Sequence, residues 1–137
     1  MGYEVLEHTA DLRLRVWGRD EEELFREALL AMAEIMKAER RRAEHEEKNV
    51  RNVHIQSQDI TTLLVDFLNE ILTLAQTHRE IYTEIFFKRI SEAELIAELS
   101  GFAVEGFEED IKAVTYHEAE IRKNVEGNLE TNLVFDI

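Results

Sequence analysis

Between Leu12 and Trp17 the apolar Leu12, Leu14 and Val16 alternate with Arg13, Arg15 and Trp17, the two-residue period of a strand with one buried face. Asp11 shares the parity of the arginines, so its carboxylate is expected to point away from the main core. A shorter strand over Tyr3 to Leu6 precedes it across the polar turn EHTAD. After Gly18 the period changes. Asp20, with Glu23 three residues on, has the form of a capping box, and Leu24, Phe25, Ala28, Leu29, Met32, Ile35 and Met36 recur at helical spacing.

The stretch ERRRAEHEEK, Glu39 to Lys48, has almost nothing to bury and reads as a solvated helix extension or a connection. Val50, Val53 and Ile55 suggest a strand over Asn49 to Gln56, and Asp59 can cap a second helix whose stripe is Leu63, Leu64, Phe67, Leu68, Ile71 and Leu72. Asp66, Asn69 and Glu70 fall off that stripe and are expected in solvent. Ile81 to Ile90 and Ala93 to Leu99 are rich in strand formers and can pair about Ser91 and Glu92. The two glycines of Gly101 to Phe107 mark a turn or a bulge. Ala113 to Lys123 and Leu129 to Ile137 flank NVEGN, a hairpin signal in which Gly127 supplies the unusual backbone angles. Two helices with seven or eight strands predict an α+β fold over residues 1–137 as one domain, the helices packed on one face of a largely antiparallel or mixed β-sheet.

Composition narrows the function. Thirty acidic against sixteen basic residues give a formal charge of −14, which opposes direct binding of RNA or DNA. A local basic patch such as Arg40, Arg41 and Arg42 runs against that balance. An acidic surface suits hard cations or a basic protein partner. The chain has no cysteine, no apolar run of bilayer length and no basic-then-apolar leader, so an intracellular, cytoplasmic protein without a membrane partner is expected.

The chemistry concentrates at the last residues, LVFDI. Leu133, Phe135 and Ile137 share one face of a strand, so Asp136 projects from the other, one residue from the carboxylate of Ile137. With Asp11 they make three carboxylates, and His8 is a further ligand or a hydrogen-bonding support. Such oxygens suit Ca²⁺, Mg²⁺ or Mn²⁺. Gathering like charges without a cation is costly. On residue pattern alone the plainer reading carries more weight: turn caps and solubilising groups at strand ends. Lys112 is either a surface lysine or a phosphate or carboxylate partner. His45, His54 and His78 read as surface residues, His117 as a packed or hydrogen-bonded residue on a strand, and Trp17 as a rim aromatic. No nucleophile elbow, phosphate-cradling loop or zinc-protease helix occurs.

Four stretches in order, LEHTADLRLRVWG, DITTLLVDFLNEIL, IKAVTYH and LVFDI, together resemble the archease family and bracket nearly the whole chain. Archeases are helper proteins of the RtcB-type tRNA-splicing RNA ligase. They promote its guanylylation and repeated turnover. The resemblance implies metal binding by Asp11, Asp136 and the terminal carboxylate of Ile137, with His8 matching the motif histidine. It implies that Lys112 is needed for helper activity and that the ion is a hard divalent cation, Ca²⁺ first. The chain departs from the family pattern at Phe67, where tryptophan is frequent. GFAVEGFEED is short and lacks the histidine common before the lysine motif, and with it the ground for a ligand or partner contact from that loop. Two other readings stay open: a small metal-dependent phosphoesterase using the same carboxylates, and a chaperone-like assembly module.

Overall fold

The computed structural model describes residues 1–6, 11–37 and 48–137. The turn containing His8, and the charged stretch containing Arg40, Arg41, Arg42 and His45, lie outside the described residues. Among the described residues the strands are β1 (Gly2–Val5), β2 (Asp11–Gly18), β3 (Asn49–Gln56), β4 (Glu80–Ile90), β5 (Glu94–Ala103), β6 (Ala113–Thr115), β7 (Arg122–Lys123) and β8 (Leu129–Asp136). Two helices, α1 (Glu21–Met36) and α2 (Ile60–His78), interrupt the strand order after β2 and β3.

Both helices begin where their caps predict. Asp20 accepts a bond from the Glu23 amide at 2.9 Å, and Glu23 reciprocates to the Arg19 amide at 2.8 Å, one residue before the cap itself. Asp59 accepts from the Thr62 amide at 2.8 Å. Arg79 closes α2 in the left-handed region at φ 55°, its N–H bonded to the carbonyl of Ala75.

The fold is α+β with antiparallel pairing throughout, and its strands divide into two sheets. One runs β1-β2-β8-β6, with β7 also paired to β8; the other runs β3-β5-β4. Helix α1 packs on β2 of the first sheet and β4 of the second, while α2 lies against β3, β4 and β6. The shared core holds Leu14, Val16, Leu133 and Phe135 from the first sheet and Val53, Leu95 and Leu99 from the second. Between them, the rings of Phe25 and Phe67 lie 5.4 Å apart. Each buried side chain of this kind contributes roughly 1.5–3 kcal/mol, so the two helical stripes are what join the sheets.

Two sequence expectations change. Gly101 lies inside β5 rather than in a turn, and the bulge sits opposite, between Tyr82 and Glu84 of β4. A Cβ at Gly101 would stand 2.0 Å from the carbonyl oxygen of Ile81, so the glycine permits a close backbone approach. The expected strand Ala113 to Lys123 is two short strands. Between them the Ala119 amide bonds back to Tyr116, and Glu118 takes φ 65°. The amides of Glu120 and Ile121 bond to the hydroxyls of Thr131 and Thr61 instead of to a ladder partner. His117 is consequently exposed in this turn, not packed on a strand.

A candidate cation-binding tip

β2 begins at Asp11 and β8 ends at Asp136, and the antiparallel register sets these two residues directly opposite each other. Their alternation with core residues is the cause. Leu12 pairs with Phe135 and Leu14 with Leu133, so the core fixes the register and the intervening positions project outward. Side chains of directly opposed residues share a face with Cβ atoms roughly 4.5–5.5 Å apart. The Asp11 side chain is 38% exposed and Asp136 is exposed. The other edge of β8 is occupied too: Ala113 pairs with Asp136, and the Lys112 amide donates to the Asp136 carbonyl at 2.7 Å. Asp136 therefore ends an inner strand. The side chain of Ile137 packs half-buried against the core just beyond it.

The structure thus brings Asp11, Asp136, Ile137 and the backbone of Lys112 to one end of the first sheet. The Lys112 side chain is exposed and has no partner among the described residues. His8 lies outside them.

The segment carrying Lys112 is also held from the side of α2. The Asn69 amide nitrogen donates to the Val114 carbonyl at 2.8 Å, and its oxygen accepts from the Val114 N–H at 2.9 Å. One turn pair further along, Gln76 donates to the Ile111 carbonyl at 2.8 Å. Asp66 accepts from the hydroxyls of Ser57 and Tyr116. Asn69 and Asp66 are therefore structural partners rather than idle solvated positions; Glu70 is exposed as expected. The spacing was the available signal: Asn69 and Gln76 are seven residues apart and share a helix face.

On the outer face next to Asp11 stands Arg13, its Nε 3.8 Å from Asp11 Oδ1 and its Nη1 3.0 Å from Glu118 Oε2. Arg15, one step further from the tip, bonds Glu130 at 2.9 Å and lies 4.4 Å over the ring of Trp17. The donors suit a hard cation: two opposed carboxylates are unfavourable by themselves and accept oxygen-preferring ions. Among the described residues no three His, Asp or Glu side chains group closely enough to hold a metal. An apolar groove of about 490 Å³, lined in part by Tyr3, Leu30, Ala33 and Phe102, shares no residue with the tip.

Comparison with known proteins decides the family. The Archease protein family matches residues 3–137. This chain belongs to the archease family. Protein archease of Methanosarcina mazei is 35% identical over 98% of the chain and 95% of its own length, and that of Methanothermobacter thermautotrophicus is 34% identical over 99% of each. The solution structure of Methanobacterium thermoautotrophicum protein 1598 superposes with a TM-score of 0.68 at 28% identity, covering 99% of both chains. The crystal structure of a Thermotoga maritima archease, described as a possible chaperone, matches in fold with a TM-score of 0.70 at 21% identity over 96% of this chain and 94% of that one. In this archease-family chain two of the four motif stretches meet at the tip, IKAVTYH and LVFDI, joined there by the Asp11 end of the first. The remaining one, DITTLLVDFLNEIL, supplies the Asn69 clamp.

Proposed function

We propose that the chain is an accessory protein that activates an RtcB-type tRNA-splicing RNA ligase, promoting its guanylylation and multiple turnover through a divalent cation, Ca²⁺ first, held at the tip. The observation that carries this reading is the register pairing Asp11 with Asp136 at the end of an inner strand. Asp11 and Asp136 are the side-chain ligands, and the carboxylate of Ile137 is the third oxygen group. His8 is an added ligand or a support. Bound there, the cation would offset the facing negative charges and present a hard Lewis-acidic centre to a partner.

The chain's own groups do the rest. β8 is bonded on both edges, so Asp136 is held without a long side chain's entropy cost. Lys112 offers an exposed ammonium to a phosphate or carboxylate of the partner. The formal charge of −14 favours a basic docking surface over bare nucleic acid.

The test is guanylylation of the ligase by wild type, Asp11→Ala, Asp136→Ala, Lys112→Ala and a chain lengthened by a few residues after Ile137. Loss of stimulation in the variants is expected; equal stimulation by all of them removes the proposed role of the tip. Turnover of phosphate esters by the chain without a ligase would favour the phosphoesterase reading. Suppression of aggregation of unrelated chains, unaffected by Asp136→Ala, would favour the chaperone reading suggested by the description of the Thermotoga relative.

A further inference from the structure

We propose that Arg13 is a tethered counter-ion of the Asp11–Asp136 pair, and that Glu118 sets how strongly it competes with a divalent cation for Asp11. The inference rests on the reading that these two aspartates hold a cation, and concerns how that site is tuned.

Arg13 lies two residues after Asp11 in β2 and so projects from the same face. Its guanidinium is shared unequally. At 3.0 Å, Nη1 forms a close ion pair with Glu118, whereas Nε stands 3.8 Å from Asp11, at the outer edge of ion-pair range. Among the described residues these are its two anionic partners. The neighbours in its cross-strand row are uncharged, Val134 and then Thr115.

Arg15, by contrast, is occupied away from the tip, by Glu130 at 2.9 Å, Glu4 at 3.5 Å and the Trp17 ring. Asp136 has no ion pair among the described residues, so within the opposed pair only Asp11 has a guanidinium in ion-pair range, that of Arg13. Glu118 reaches Arg13 from a left-handed backbone, φ 65°, a conformation non-glycine residues adopt at a cost. The same carboxylate oxygen lies 3.5 Å from His117 Nε2.

A dication arriving at Asp11 meets this positive charge directly. Withdrawal of Arg13 toward Glu118, already its nearer partner, removes the conflict. The two residues therefore act with opposite sign. Without Arg13 the pair lacks its internal competitor and holds a cation more tightly. Without the Glu118 charge, Asp11 becomes the remaining anionic partner of Arg13, and the competitor stays on the site.

Mn²⁺ binding to the purified chain, followed by electron paramagnetic resonance at low and high salt, reads this out with no ligase present. Arg13→Gln should bind about fivefold more tightly than wild type and Glu118→Gln about threefold more weakly, the scale of a partly exposed charge interaction. Arg13→Lys should stay near wild type, and all differences should shrink at high salt. Unchanged or weaker binding by Arg13→Gln, or tighter binding by Glu118→Gln, overturns the proposal. Asp136→Asn separates the two levels. If wild type binds Mn²⁺, Asp136→Asn does not, and Arg13→Gln matches wild type, the inference alone fails. If neither wild type nor Arg13→Gln binds Mn²⁺, the carboxylate site fails and the inference with it.

Discussion

Asn69 of α2 grips Val114 of β6 by both of its backbone polar groups, N–H and C=O, at 2.9 and 2.8 Å. The side-chain amide takes the place of a neighbouring strand at an edge of the first sheet. β6 is three residues long and pairs with β8 on its other side, so this contact completes its bonding. The residue just before β6 is Lys112, whose amide closes on Asp136.

Replacing Asn69 by Leu should therefore strand a donor and an acceptor together. Leaving such groups unsatisfied costs about 1–3 kcal/mol each, less where water reaches them, so a loss of about 2 kcal/mol is expected in urea unfolding. Hydrogen exchange at Val114 should accelerate in the same variant. An unchanged exchange rate there would show that the clamp does not hold β6.

A second polar cluster ties the second sheet. Arg51 of β3 donates two bonds to buried Glu80 of β4, both 2.9 Å, and the Tyr82 hydroxyl donates a third at 2.7 Å. Burial alone would raise the Glu80 carboxyl, but the Arg51 fork, the Tyr82 bond and the Arg51 charge outweigh it and hold the group below its ordinary 4.5. A lowered carboxyl stabilises the fold above that unfolded value, and the contribution disappears as pH falls through the lower folded value. Arg51→Met should cost about 3 kcal/mol at neutral pH, because it leaves a buried carboxylate unpaired. In acid titrations followed by circular dichroism its deficit relative to wild type should narrow below pH 4.5. A deficit independent of pH would show that the ion pair is not the cause.

Tyr82 carries the opposite sign. Burial first, and then the Glu80 carboxylate, push its phenol above the ordinary 10.0. A raised group stabilises the fold below its unfolded value and loses that contribution as pH rises beyond it. Wild type should therefore lose stability above pH 10.0 more steeply than Tyr82→Phe, read from thermal midpoints across an alkaline series.

Gly101→Ala tests the close approach of β5 to β4. The added methyl would sit 2.0 Å from the Ile81 carbonyl oxygen, a contact with backbone that no rotamer change relieves. A loss of about 3 kcal/mol or more is expected in chemical denaturation, at the upper end of overpacking effects. Gly127→Ala, at φ 86° in the exposed β7–β8 hairpin with nothing within 4 Å, should cost only the strain of its backbone, about 1–2 kcal/mol.

At the tip, cation addition and charge removal should oppose each other. Asp136→Asn removes a directly opposed like charge and should raise cation-free stability by up to about 1 kcal/mol. Wild type should gain thermal stability when Ca²⁺ is added, by about 2.7 kcal/mol at a hundred times the dissociation constant, and Asp136→Asn should not. Differential scanning calorimetry with Ca²⁺ and with chelator measures both. An equal Ca²⁺ response in the two proteins would dissociate Asp136 from the ion.

Much of this was readable along the chain because it depends on local periodicity. The alternation from Leu12 to Trp17, the stripes of α1 and α2, and the caps Asp20 and Asp59 each rest on residues within a few positions of one another. So does the outward parity of Asp11 and Asp136. The division into two sheets was not readable, since strand pairing joins residues far apart and the same alternation serves either sheet. Val50 shows the difference: apolar, yet half exposed, because its parity opposes that of Val53 and Ile55. The unity of Ala113 to Lys123 failed for a related reason. Two threonine hydroxyls from β8 and α2 captured the amides of Glu120 and Ile121, and no local pattern records such partners.

The sequence by itself determined which side chains face outward at the two ends of its motifs, because backbone geometry alternates them with the core. Only the tertiary structure decided that Asp11 faces Asp136, that Asn69 holds the strand beside Lys112, and that Arg13 is divided between Asp11 and Glu118. Those relations span from two residues to well over a hundred in sequence: packing of Leu12, Leu14, Leu133 and Phe135 across β2 and β8 sets the register that creates the first, and contacts from α2 and from the turn at Glu118 create the others.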